Sequence, residues 1–390
     1  MGINIRDGQF FKDGAPVVLA MRTSFCLLGH YQAGRRDTAR RWLDRIAAQG
    51  FDGPRLFGEN QDWFPGDTFF GTSYTPIVLA FGDHSGPLSK LKLIAGYESG
   101  VQELAEDLVA RDMVAEFCCI ATIKGRDPAW TSHGLNKFAQ MFARLFPDPD
   151  DTPFLHEAIN EWDAHSKLDA AEVARIGNRW RRSNDDPTHH NYPGSTIGVS
   201  AGGEWSLSPP GYTHTNIHPP RGGNWKSGDG EPLAKTIFRL SKDKPLYLNE
   251  TIHYMSQPQW DEWITRRGIS KWAGLSTTDH DGLAQYLLDV GAAGASFCFH
   301  DLVGMSTDPD APITPGEEAI AEMLGGAPPP PPPPQMVAPI VGIVQRGYRD
   351  ILNREADPSG LKHYHDRILG GTTEAEFREW ILRDYLGGAR

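Results

Sequence analysis

The strongest constraint on this chain is an alternation that runs through its first three quarters. Short apolar runs are each followed by a segment long enough to cross back as a helix. An apolar run bounded by turn residues reads as a strand buried on both faces, and the intervening helices must then cover a parallel sheet. The runs lie at Val17–Phe25, Phe51–Phe57, Met113–Ala121, the stretch that ends at Glu161, Thr196–Ser200, Thr213–His218, Pro245–Glu250 and Gly294–His300. Helical spacing occupies Thr38–Gln49, where Trp42, Leu43, Ile46 and Ala47 share a face ahead of the stop signal Gly50. It recurs at Leu104–Asp112, Leu135–Phe146, Leu168–Arg181, Pro232–Leu240, Leu283–Ala292 and Gly316–Leu324. Eight parallel strands are enough to close on themselves, so the predicted fold class is α/β, a (β/α)8 TIM barrel. Ahead of it, Asn4–Phe11 alternates about Asp7-Gly8 and turns again at Lys12-Asp13-Gly14, which predicts a hairpin feeding the first core strand.

At Gly325-Gly326 the composition changes, and the unbroken proline run Pro328–Pro334 follows. Polyproline II geometry makes that run a stiff spacer of roughly 20 Å at about 3.1 Å per residue. The expected division is a barrel over 1–326, a polyproline linker over 327–338 and a small all-α domain over 339–390. In the last of these, Ile340, Ile343, Val344, Tyr348, Ile351 and Leu352 recur at helical spacing, with further helices expected at Leu361–Leu369 and Glu374–Leu386.

A formal charge of −12 with no cluster of Lys and Arg argues against nucleic acid, whose binding rests on neutralised phosphates; a neutral substrate fits better. The opening residues lack the basic head and apolar core of an export signal. No stretch approaches the roughly 18 apolar residues of a membrane span, so the expectation is a soluble chain without membrane insertion, cytoplasmic or attached to a surface or phage particle. Cys26, Cys118, Cys119 and Cys298 fall in or beside predicted strands with no metal-knuckle spacing and read as small core residues.

Two glutamates carry the functional reading. Glu161 closes Thr152–Glu161 and Glu250 closes Lys244–Glu250, so each stands at the carboxyl end of a buried strand, the catalytic face of a parallel barrel. A carboxylate that ends an apolar strand needs a reason to be there. Two of them, one protonated and one ionised, are the least that cleavage of a glycosidic bond with retention requires. Glu161 should then sit near apolar surface or negative charge, with Trp162 close by, and Glu250 should be kept ionised by donors such as Arg55 or Tyr254. The irregular segments 58–96 and 201–231 both follow strand ends and would build the cleft.

Over about residues 8 to 325 the chain resembles the large clan of barrel glycosidases with paired strand-end glutamates, and within it family 5. The residues that carry the resemblance are Gly8–Gly14, Ala47–Arg55, the pair Asn160-Glu161 and Pro245–Glu250, in the expected order. The resemblance implies Glu161 as general acid/base, Glu250 as nucleophile, Arg55 as the arginine on that nucleophile and Asn160 as a contact to the hydroxyl beside the reacting carbon. His218 is similar to the clan's histidine on strand six, although Pro220 stands where its tyrosine partner is usual. Strand eight, Phe297–Asp301, has no platform tryptophan; Phe299, His300, Trp205, Trp225 or Trp272 would have to serve. Strand three lacks the family's histidine. Trp63, Trp205 and Trp225 lie in the long loops and are candidates to stack on sugar rings, and Glu59 and Asp62 are candidates to bind hydroxyls. His189-His190 reads as loop surface.

The expected activity is thus a retaining, endo-acting glycoside hydrolase on a β-linked polysaccharide, β-mannan or β-glucan, with no cofactor and no metal. The alternatives are a metal-dependent barrel hydrolase using His214, His218, His253, His300 and Asp301, or a carbohydrate-binding barrel without turnover. Tyr348–Tyr364 is similar to a small helical domain of undetermined function that recurs in bacterial surface and phage proteins, which implies a role in attachment or assembly.

Overall fold

The computed structural model describes residues 2–59, 68–69, 72–73, 80–81, 88, 91–121, 128–148, 151–165, 168–181, 196–200, 209–218, 236, 240, 244–267, 276–301 and 309–326. The chain divides into two units, Met1–Pro330 and Pro331–Arg390. The expected helices of the second unit, the predicted helix 232–240 in large part, and Trp63, Asp62, His189, His190, Trp205, Trp225 and Trp272 lie outside the described residues.

The barrel predicted from the alternation is present. Its strands are β1 (Ala20–Thr23), β2 (Gly53–Phe57), β3 (Ala115–Ile120), β4 (Phe154–Ile159), β5 (Ile197–Gly198), β6 (Thr215–Ile217), β7 (Leu246–Leu248) and β8 (Ser296–Phe299). They form one parallel sheet of 8 strands in the order β5-β4-β3-β2-β1-β8-β7-β6. The remaining seam is drawn together where the Thr213 N–H donates to the Ile197 carbonyl at 2.9 Å. Helices α1 (Leu27–Gln32), α2 (Arg36–Ala48), α3 (Tyr97–Val109), α4 (Pro128–Leu145), α5 (Trp162–His165), α6 (Ala170–Arg181), α7 (Gln257–Arg267), α8 (His280–Ala292) and α9 (Pro315–Met323) lie between and after the strands. In α2 the buried face is Ala39, Trp42, Leu43 and Ile46, the stripe that period 3.6 requires.

The expected first strand, Val17–Phe25, is divided in the structure. Ala15–Val17 turns back to complete a three-stranded antiparallel sheet with Ile3–Arg6 and Gln9–Lys12, and only Ala20–Thr23 enters the barrel. The two tight turns place Asp7 and Asp13 at φ of 47° and 50°, each followed by a glycine at positive φ, as a two-residue hairpin loop demands. Ile3 and Phe10 of this ribbon pack with Leu19, Met21, Val114, Leu155, Tyr247 and Cys298, and so close the amino-terminal foot of the barrel. Cys118, Cys119 and Cys298 are buried core residues and Cys26 is half-buried.

Helix α9 is fastened over α2 and the end of β8 by a sealed set of charges. Arg22 contacts Glu317 and, at 3.5 Å, Asp301; Arg45 meets Glu317 at 2.7 Å and also donates to the Pro309 and Ala311 carbonyls. Thr314 and Glu317 form a reciprocal capping box at the start of α9, so Glu317 serves the helix end and the ion cluster together. No helix among the described residues is long and apolar enough to cross a membrane.

Candidate active site

The site is built from strand ends. Arg55 on β2 is fully buried, its guanidinium 5.6 and 5.3 Å from the Phe25 and Phe57 ring centres, which themselves stack at 3.9 Å. Its nitrogens reach in several directions. Nη1 donates to Glu250 Oε1 at 3.0 Å, Nη2 to Glu157 Oε2 at 2.8 Å and to Asn160 Oδ1 at 2.9 Å, and Nε lies 2.9 Å from Glu116 Oε2. Asn249 donates to the other oxygen of Glu157 at 2.8 Å, and Asn216 to Glu116 at 3.1 Å. The axis of the barrel is therefore a connected polar network.

Above this network stand the two strand-end carboxylates. Glu161 is half-buried with a backbone φ of 47°, outside the region a glutamate prefers. Its Oε1 lies 3.1 Å from Nδ1 of His218, which follows β6; Nε2 of the same ring is 3.9 Å from Glu250 Oε2. Donor atoms of Glu161, His218 and Glu250 all lie within 4.8 Å of one another, so the expected pair faces a common space. This trio is also, among the described residues, the group of acidic and imidazole side chains close enough together to share a metal ion.

Burial pushes the Glu116 carboxyl well above its ordinary range; Arg55 opposes the rise, and the charges of Glu157 and Glu250 add to it. For Arg55, burial disfavours the charge, but Glu157, Glu116 and Glu250 outweigh it and raise its pKa well above the ordinary value. Burial and the neighbouring carboxylates thereby favour the protonated form of Glu116.

The structure thus brings Glu161, Glu250, Arg55, Asn160 and His218 together. Two other expected contacts stand elsewhere. The Tyr254 N–H pairs with the His300 carbonyl at 2.9 Å beside β8, which carries the ring away from Glu250 and onto α9, where a Cβ on Gly316 would come within 2.5 Å of it. Arg55, and not Tyr254, supplies the donor to Glu250. His300 is fully enclosed, with Nδ1 2.6 Å from Thr23 Oγ1 and its ring 3.8 Å from His253 and 5.3 Å from Phe25; Phe299 is equally enclosed. A ring so covered offers no face to a sugar. The metal set of the alternative reading is not assembled among the described residues either. His214 sits at the foot of the barrel 5.4 Å from Phe10, where burial drops its pKa to about 3, and Asp301 faces Arg22. Glu59 is buried and its carboxylate receives the Ala80 N–H, so it ties down a loop.

Sequence reasoning passed over Glu116, Glu157, Asn216, Asn249 and Ser200. A signal was present: a charge or amide inside an otherwise apolar strand cannot be buried alone. Glu116 within Val114–Ile120 and Glu157 within Phe154–Ile159 both meet that description, and Arg55 was the cation they required.

The fold and site together define a parallel (β/α)8 barrel with paired carboxylates at the carboxyl ends of its strands. No protein-family model matches the chain, and no curated protein sequence is similar to it. Solved structures share the fold. A Bacteroides vulgatus ATCC 8482 protein assigned provisionally to the glycoside hydrolases superposes with a TM-score of 0.53 at 11% identity, covering 77% of this chain and 55% of its own. An exo-β-1,4-mannosidase from Opitutaceae bacterium strain TAV5 gives 0.51 at 15% identity, over 82% of this chain and 62% of its own. The β-1,4-mannanase of the sea hare Aplysia kurodai gives 0.50 at 10% identity, over 82% and 96%. The chain thus spans between half and two thirds of the first two proteins, and at these identities the likeness is one of fold.

Proposed function

We propose that the chain is a retaining glycoside hydrolase acting within a β-linked polysaccharide, β-mannan or β-glucan. One observation carries the reading: oxygens of Glu161 and Glu250 lie within 4.8 Å of each other across the barrel mouth. That is the close spacing at which the second carboxylate attacks the sugar directly, whereas inversion needs a gap of about 6.5 to 9.5 Å to admit water. The activities of the mannosidase and the mannanase with the same fold favour a β-linked mannan as first substrate.

In this reading Glu161 gives its proton to the leaving glycosidic oxygen as Glu250 attacks the anomeric carbon, forming a glycosyl ester. Water then enters, Glu161 takes its proton, and the ester is released with configuration restored. Arg55 fixes Glu250 through Oε1, which leaves attack to the His218 side of the carboxylate.

Purified protein is screened against a panel of β-linked polysaccharides, with Glu161→Gln and Glu250→Gln as controls and with the first-formed anomer read by NMR. The expected outcome is β-anomer product and a loss of at least about 10³-fold in either control. Product of inverted configuration would refute the double displacement. Turnover that survives both controls and stops with a chelator would refute the glutamate pair and move the assignment to a metal bound by other residues.

A further inference from the structure

Ser200 lies just beyond β5, fully buried. Its hydroxyl oxygen accepts the Glu161 N–H at 3.0 Å and donates its own proton to Asn160 Oδ1 at 3.3 Å. Its carbonyl accepts the Trp162 N–H at 3.0 Å. One side chain and one peptide therefore hold three consecutive residues of the turn that carries the acid/base.

The direction of these bonds determines what Asn160 can do. A guanidinium only donates, so the Asn160 atom that faces Arg55 Nη2 at 2.9 Å is the oxygen. The Ser200 hydroxyl accepts from a peptide N–H and must spend its proton on that same oxygen. With two donors converging on Oδ1, the amide nitrogen is turned the other way, and no described residue accepts from it. The adjoining Glu161 backbone, at φ 47°, sits in a region that is unfavourable by roughly 1 kcal/mol for a side chain of this kind and needs an external tether.

We propose that Ser200 is a positioning residue: it holds Asn160 so that Nδ2 is presented as a donor to the hydroxyl beside the reacting carbon, and it pins Glu161 in its left-handed turn. The proposal deepens the glycosidase reading and rests on it for the substrate contact.

Two measurements test it on the full chain. The first compares kcat/KM of the unaltered protein and Ser200→Ala on 2,4-dinitrophenyl β-mannoside and β-glucoside and on the 2-deoxy glycoside, which is the deoxy analogue of both. Loss of one oriented hydrogen bond should lower the rate about tenfold on the parent sugars and less than about twofold on the 2-deoxy sugar. Equal losses on parent and deoxy substrates overturn the proposal, because a general structural defect would not distinguish them. The second is the crystal structure of Ser200→Ala, in which the Asn160 amide is expected to turn or Glu161 to leave positive φ. Unchanged positions of both overturn it. If the unaltered protein cleaves no glycoside, the glycosidase reading falls while the crystal structure still decides the role of Ser200. Should Ser200→Ala not fold, Ser200→Cys, with similar volume and a weak donor, is read in the same two ways.

Discussion

Two buried clusters of charge lie in this barrel, one on its axis and one in its wall, and they are built on opposite principles. In the wall, Arg22 and Arg45 face Glu317 and Asp301, two cations against two anions, beneath the Trp42 ring that lies 5.8 and 5.6 Å from the two guanidinium groups. Each charge there is matched. On the axis a single cation, Arg55, meets Glu116, Glu157 and Glu250. Burial and the neighbouring carboxylates favour a proton on Glu116, and Glu157 and Glu250 still outnumber Arg55 among the described residues. A balanced cluster fastens elements together; an unbalanced one supplies charge, here of the sign that stabilises an oxocarbenium-like transition state.

The difference is tested most severely by removing the cation from each. Arg55→Met strands three carboxylates and should cost about 3–5 kcal/mol of stability as well as nearly all turnover, checked by chemical denaturation and by kcat of the folded fraction. Glu317→Gln should cost a comparable amount, yet leave kcat of the folded fraction within about twofold. Similar kinetic damage from both would erase the distinction.

The pH dependence sharpens it, because the two glutamates shift in opposite directions. Burial would raise Glu317, but Arg22 and Arg45 outweigh it and hold its pKa below the ordinary 4.5. Its contribution is present above that value and is lost as pH falls through its folded pKa. Glu116 is raised from the same ordinary 4.5, first by burial. The fold then binds more protons than the unfolded chain as soon as pH exceeds 4.5, so stability is complete below that value and declines as pH rises toward its folded pKa. Glu317→Gln should flatten the part of the stability curve below pH 4.5 and Glu116→Gln the part above it, both read as denaturation midpoints across pH. Smaller effects are expected at Tyr254, whose ring belongs to the wall. Gly316→Ala, which would set a methyl 2.5 Å from that ring, should cost about 1–3 kcal/mol, whereas Tyr254→Phe should change kcat/KM by less than about twofold.

Much of this was legible in the residues. The strand-helix alternation leads to the barrel, and Glu161 and Glu250 stand out because each closes an apolar run, whereas Arg55, Asn160 and His218 are singled out by their resemblance to the clan's motif residues. The partners of Arg55 were harder to read. Register puts Glu116 directly beside Arg55 on the neighbouring strand, and only strand order reveals that adjacency. Tyr254 is close to Glu250 in sequence and not in space: the chain turns after Thr251, whose hydroxyl bonds the Cys298 carbonyl at 2.8 Å, and runs along β8. Helix α7, Gln257–Arg267, is absent from the sequence reading although Trp260, Trp263 and Ile264 recur at helical spacing. Ser200 left no trace at all, since a serine gains a role only from what surrounds it.

The small antiparallel ribbon at the foot of the barrel has a final consequence. With Ile3 and Phe10 packed against Tyr247 and Leu155, the foot of the barrel is plugged with apolar side chains. Tyr247 of that plug also bonds Glu116, so a polar substitution at Ile3 or Phe10 would wet the carboxyl from below and weaken its bias toward the protonated form.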